Sequence, residues 1–198
     1  LMNFMQLRER QPKFPVTVKT GEGVVELIWN KIEYADGYRV FASPVGKNHF
    51  VGVINVKGTT AVMKKRANGV PMQYKVKAFR IADGPDNFFG ESEIVIACPL
   101  ETPRRLTAIV GSNGICTLSW RYNSQCDGFK IYADSNESGK YSFVCYSGKN
   151  SCRLDSFTKS GKVSFVVRSF IMTGHMEKLG VSSAPVSYTH LTLPTTSR

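Results

Sequence analysis

The chain repeats itself. Val25-Glu26-Leu27-Ile28-Trp29 recurs as Cys116-Thr117-Leu118-Ser119-Trp120, at a spacing of about 91 residues. Asp36-Gly37-Tyr38-Arg39-Val40-Phe41-Ala42 recurs as Asp127-Gly128-Phe129-Lys130-Ile131-Tyr132-Ala133, and Tyr74-Lys75-Val76-Lys77-Ala78-Phe79 as Phe165-Val166-Val167-Arg168-Ser169-Phe170. Gly90 matches Gly180. A period this long means tandem domains, because solenoid repeats run only about 20–50 residues. The length agrees: 198 residues hold one or two domains at roughly 100–200 residues each.

Within each copy the apolar residues alternate. Val25, Leu27 and Trp29 interleave with Glu26 and Ile28; Tyr38 and Val40 with Arg39 and Phe41; Tyr74, Val76 and Ala78 with Lys75 and Lys77. A period of two places each set on one face of a half-buried strand. Gly21-Glu22-Gly23, Gly58, Asn68-Gly69, Asp83-Gly84-Pro85, Gly111-Ser112-Asn113-Gly114 and Ser160-Gly161 supply turns. Short strands, turns and no helical period predict an all-β fold of two tandem sandwiches. A domain of about 90 residues buries enough core to stand without disulfides, with modest margin.

At these residues each copy resembles a fibronectin type III domain, of the divergent kind common in bacterial surface and secreted proteins. The resemblance is carried by the Trp of the second strand, the Gly-Tyr-Arg-Val or Gly-Phe-Lys-Ile third strand and the Tyr-Lys-Val-Lys-Ala sixth strand. It covers roughly 13–98 and 103–187. It implies two immunoglobulin-like sandwiches at 13–98 and 104–185, a proline-containing linker at 99–103, and residues 1–12 as the tail of a preceding region. Adjoining domains of a longer chain are then the expected partners, and the cell surface or extracellular space the expected location. Tyr74 stands where the family has a corner tyrosine whose hydroxyl ties the preceding turn. Phe165 in the second copy has no hydroxyl, which predicts a less stable second domain unless something compensates. Pro99 and Pro103 restrict the linker to extended shapes, predicting a semi-rigid pair.

Neither end is expected to belong to the repeat. Val186 to Thr196 reads VSYTHLTLPTT and resembles a translated sequencing-library adapter, so 186–198, His190 included, are expected to be non-native. Leu1 is not an initiator, and Leu1–Arg10 lacks the basic stretch and apolar run of a signal peptide. The chain therefore reads as a piece of a longer protein.

Composition narrows the function. No apolar run approaches the roughly 20 residues of a membrane helix. The net charge of +11 is spread over both halves, and its densest run is only Lys64-Lys65-Arg66. Charge without a stripe or motif argues against a nucleic-acid binder. The five cysteines include no C-x-x-C spacing, which argues against metal and against a redox motif, and no cofactor is expected. Cys116 shares a strand face with Leu118 and Trp120, as a small buried hydrophobe would. Cys126 falls in a loop and Cys98 at a domain edge. Cys145 and Cys152 flank a turn and could pair if their strands adjoin.

For an enzyme, nucleophile, base and acid must converge. His49 and His175 belong to different domains, no phosphate loop or nucleophile elbow is present, and the Arg-Gly-Asp tripeptide is absent. No catalytic residues are expected. The remaining candidate is the outer sheet face. If Tyr38, Val40, Tyr74 and Val76 point inward, then Arg39, Phe41, Lys75, Lys77 and Phe79 point outward, and Lys130, Tyr132, Arg168 and Phe170 repeat them. Cations interleaved with aromatics could hold a polysaccharide or an anionic cell-wall polymer. Alternatively, the aromatics cap the sheet and the cations merely solvate it. Phe89, before Gly90, reads as packing; Phe88 has no evident role. Two functions therefore stand: a non-catalytic spacer or presentation module, and a carbohydrate-binding or adhesion module.

Overall fold

The computed structural model describes residues 13–84, 86–111, 114–155 and 161–190. The chain divides into two compact units, Leu1–Pro99 and Leu100–Arg198. Unit 1 contains β1 (Val16–Gly21), β2 (Val24–Trp29), β3 (Gly37–Pro44), β4 (Val51–Val56), β5 (Thr60–Met63), β6 (Met72–Phe79), β7 (Phe88–Glu91) and β8 (Val95–Ala97), with one 3-10 turn at Ile81–Asp83. Unit 2 contains β9 (Arg104–Val110), β10 (Cys116–Arg121), β11 (Gly128–Asp134), β12 (Ser142–Ser147), β13 (Ser151–Leu154), β14 (Gly161–Thr173), β15 (Met176–Leu179) and β16 (Val186–His190).

In unit 1 the sheet β1-β2-β5 faces the sheet β4-β3-β6-β7, and β8 continues the β7 edge along β6. Unit 2 repeats the plan with β9-β10-β13 against β12-β11-β14-β15, and β16 on β14. The named strands pair antiparallel. The registers coincide at the repeat spacing: Val40 pairs with Val76 and Ile131 with Val167, while Tyr74 pairs with Val95 and Phe165 with Val186. Val186–His190, the start of the adapter-like segment, thus supplies the last edge strand of unit 2. Residues 191–198, like 1–12, lie outside the described residues.

The alternation places the cores as expected. Val25, Leu27, Trp29, Tyr38, Val40, Tyr74 and Val76 are buried together in unit 1. Cys116, Leu118, Trp120, Phe129, Ile131, Phe165 and Val167 are buried together in unit 2. Trp29 and Trp120 are 4% and 5% exposed, each edge-on to the ring of β3 or β11, at 5.3 Å from Tyr38 and 5.1 Å from Phe129. Each fully buried aliphatic side chain contributes about 1.5–3 kcal/mol relative to an exposed one, so an inner row outweighs any single polar contact.

Several repeated residues serve the backbone. The Asp36 carboxylate accepts from the Ile81 N–H at 2.8 Å, and Asp127 accepts from Met172 at 2.6 Å, fixing the loop after β6 and the matching stretch of β14. Gly37 lies under the Phe79 ring: a Cβ there would come within 2.6 Å of the ring carbon Cζ. Gly128 lies under Phe170 in the same way, with the ring at 3.0 Å. Ser92 and Ser183 interrupt the final edge strands. Their hydroxyls accept from the Val76 and Val167 N–H groups at 2.8 and 3.0 Å, and their own N–H groups donate to the Val76 and Val167 carbonyls. Both serines are buried.

The copies differ where hydroxyls are lost. In unit 1 the Tyr38 hydroxyl accepts from the Ile32 N–H at 2.8 Å. Phe129 has no hydroxyl to offer the equivalent Asn123 N–H, which instead donates to the Glu101 carboxylate at 2.9 Å; Glu101 also accepts from the Ser124 hydroxyl. Tyr74 is buried with the Arg66 guanidinium of the preceding loop beside its phenol. Burial pushes that phenol up, and the Arg66 charge opposes the shift. Phe165 is equally buried and lacks that tie.

The candidate ligand face

The outward residues of β3 and β6 form a ladder that closes on itself. Arg39 pairs with Lys77 across the strands, and Phe41 with Lys75. The Arg39 guanidinium donates to Asn55 at 2.8 Å and to Asp86 at 2.5 Å, and its carbon lies 5.4 Å from the Phe88 ring centre. Lys77 Nζ is 2.9 Å from Glu91 and 5.6 Å from the ring centres of both Phe41 and Phe88. Lys75 Nζ reaches Glu91 at 3.5 Å and sits 4.5 Å over Phe50. Phe88 stands edge-on to Phe41 at 5.5 Å, which gives it the role the sequence left open. Phe89 is buried in the core. Partial burial raises the Glu91 carboxyl, but Lys77 and Lys75 outweigh it and hold the group below the usual carboxylate range.

Phe79 and Phe170 do not stand out from this face as free rings. Each stands opposite the glycine that opens the neighbouring strand, β3 or β11, and fills the space a side chain would take there. Such aromatic cover over a strand glycine stabilises a sheet end.

Unit 2 carries a related but more open surface. Lys130 Nζ lies 2.6 Å from Glu177, which holds the ammonium above its ordinary range, and 5.2 and 5.9 Å from the ring centres of Tyr146 and Phe143. Tyr132, Phe143, Tyr146 and Phe170 follow one another at ring separations of 5.9, 4.8 and 5.8 Å. Phe143 is 47% exposed and Tyr146 58% exposed. Both come from β12, an edge strand the alternation did not single out. Arg168 is turned aside, donating from Nε to the Gly180 carbonyl at 2.8 Å.

The other candidates are dispersed. His49 and His175 are exposed. Among the described residues, no group of three or more His, Cys, Asp or Glu side chains is arranged to hold a metal ion. Cys98 and Cys116 are buried thiols, and Cys126 is half-buried near Tyr122. Burial, opposed in part by Ser169, pushes the Tyr122 phenol up to about 12. Cys145 and Cys152 are brought together, with Sγ atoms 3.1 Å apart.

No known protein family matches the sequence, and no curated protein matches it. Solved structures do. One is the FN1–FN3 domains of chicken CNTN1, at 19% identity, covering 90% of this chain and 67% of that one, with a TM-score of 0.39. Another is a two-domain fibronectin type III segment of chicken tenascin, at 18% identity, covering 89% of this chain and 97% of that one, with a TM-score of 0.46. By its own strand order each of the two units is an antiparallel β-sandwich, the all-β class that the repeat predicts. No helix among the described residues is long and apolar enough to cross a membrane, which says nothing of β-barrels.

Proposed function

We propose that this chain is a non-catalytic spacer or presentation module within a larger extracellular or cell-surface protein of bacterial type. The observation that carries this reading is the internal satisfaction of the outer face. In unit 1 the cations best suited to a polymer are already held by Glu91, Asp86 and the rings of Phe41, Phe50 and Phe88. An anionic ligand would have to displace those carboxylates and add nothing to the ring contacts already made. Several repeated residues, Asp36, Gly37, Ser92 and their counterparts, have backbone duties that a module needs simply to fold.

Retention on purified cell-wall and polysaccharide fractions, at low and high salt, tests the proposal. A spacer passes through at both, and alanine at Phe41, Phe79 and Lys77 changes nothing. A second reading, a glycan- or anionic wall-polymer-binding module, is favoured by the exposed Phe143 and Tyr146 beside Tyr132 and Lys130. That reading requires salt-sensitive retention that alanine at Phe143 and Tyr146 removes.

A further inference from the structure

The two cysteines that meet belong to opposite sheets. Cys145 lies on β12, which pairs with β11, and Cys152 lies on β13, which pairs with β10. Their places are fixed by register, Ile131 opposite Cys145 and Leu118 opposite Cys152. The turn between them is held by Ser147, whose hydroxyl donates to the Ser151 carbonyl at 2.6 Å and accepts from the Lys149 N–H at 3.1 Å.

The repeat supplies an internal control. The equivalent positions of unit 1 are Ile54 and Ala61, which pair with Val40 and Leu27 in the same registers. Two apolar positions in one copy are thus two cysteines in the other, and those cysteines face each other at 3.1 Å. A disulfide needs about 2.05 Å between sulfurs, roughly 1 Å closer than these two stand. Unit 2 is also the copy that lacks the hydroxyls of Tyr38 and Tyr74.

We propose that Cys145 and Cys152 are a disulfide site that staples the two sheets of unit 2 together at one edge, closed by exchange with a small-molecule or oxidoreductase disulfide. One protein thiolate attacks the donor S–S bond, forming a mixed disulfide and expelling one donor thiolate. The second protein thiolate attacks the protein sulfur of that mixed disulfide, closes the Cys145–Cys152 bond and expels the other donor thiolate. The two protons lost by the protein thiols end on the two donor thiolates, and the two electrons reduce the donor. Burial, together with Cys145, pushes the Cys152 thiol up, and either sulfur can make the first attack. Cys116 lies diagonally across β10 and β13 from Cys152 but is buried in the core, out of reach of an external donor.

The test uses the whole chain equilibrated with oxidised glutathione, then alkylated in denaturant and digested with trypsin. Cleavage at Lys140, Lys149 and Arg153 separates Tyr141–Lys149 from Asn150–Arg153. The expected product is these two peptides joined through sulfur, with the remaining three of the five cysteines alkylated. The oxidised chain should unfold roughly 5–10 °C above the reduced chain. The double variant Cys145→Ile/Cys152→Ala, which installs the unit 1 residues, should fold and lose that dependence on oxidant. Five alkylated cysteines, stable glutathione adducts on Cys145 or Cys152, or a link through Cys98, Cys116 or Cys126 would overturn the site. A linked pair that leaves the unfolding midpoint unmoved would overturn its role as a staple.

Discussion

Replacing Tyr38 by Phe removes one oxygen and keeps the ring. The edge contact with Trp29 at 5.3 Å survives, so the change isolates the hydrogen bond from the Ile32 N–H. Ile32 is buried, and water cannot replace the lost acceptor without opening the core. An unsatisfied buried donor costs about 1–3 kcal/mol. For a unit of this size that lowers the unfolding midpoint by roughly 4–8 °C per kcal/mol. Urea unfolding followed by tryptophan emission in a Trp120→Phe background reports unit 1 alone, because Trp29 is then the sole indole. The companion substitution Glu101→Ala removes the acceptor that serves the matching Asn123 N–H in unit 2. Asn123 is exposed, water takes over, and the loss should be only about 0.5–1 kcal/mol. A Tyr38→Phe loss below about 0.5 kcal/mol, or one smaller than that of Glu101→Ala, would refute the reasoning that burial decides the cost.

Three further predictions rest on repeated or paired groups. Gly37→Ala should destabilise unit 1 by about 1–3 kcal/mol through collision with the Phe79 ring, and Phe79→Ala should relieve part of that loss, as a double-mutant cycle measures. Ser92→Ala and Ser183→Ala should cost similar amounts in their own units, about 1–3 kcal/mol each, because each strands one buried N–H; chemical denaturation of the two variants compares them. Glu91, in spite of its burial, is held low by Lys77 and Lys75; Asp134 is held low by the Asn136 backbone first and by Gly139 and Ser138. Both contribute stability that is full above the unfolded carboxylate range, near pH 4, and that is lost as pH falls through their depressed values. Thermal midpoints should accordingly be flat above about pH 5 and decline below about pH 4, and Glu91→Gln should flatten part of that decline.

What was legible in the sequence is what alternation and repetition can encode. The strands around Trp29 and Trp120 and the inward rows of β3, β6, β11 and β14 follow from a period of two on a half-buried sheet, and the packing of Phe89 follows from its place before the repeated Gly90. Phe79 and Phe170 also alternate outward, but their place opposite Gly37 and Gly128 turns them into cover for the sheet end. Register decides this, and one strand read alone does not show it. Ser92 and Ser183 look like ordinary edge serines until the matching Val76 and Val167 donors are placed beside them. Glu101 sits in the proline-containing stretch between the copies, and its role depends on position 129 carrying a phenylalanine where the first copy has Tyr38. Phe143 and Tyr146 were missed because β12 is a bulged edge strand whose exposed rings do not alternate with an apolar row.

The central claim is that each copy closes its own pair of sheets around its own indole. Acrylamide quenching of the native chain in the single-tryptophan variants Trp29→Phe and Trp120→Phe tests it most directly. The account predicts blue-shifted, poorly quenched emission from the remaining indole in both variants. Emission and quenching like those of free tryptophan, from either indole in the folded protein, would contradict it.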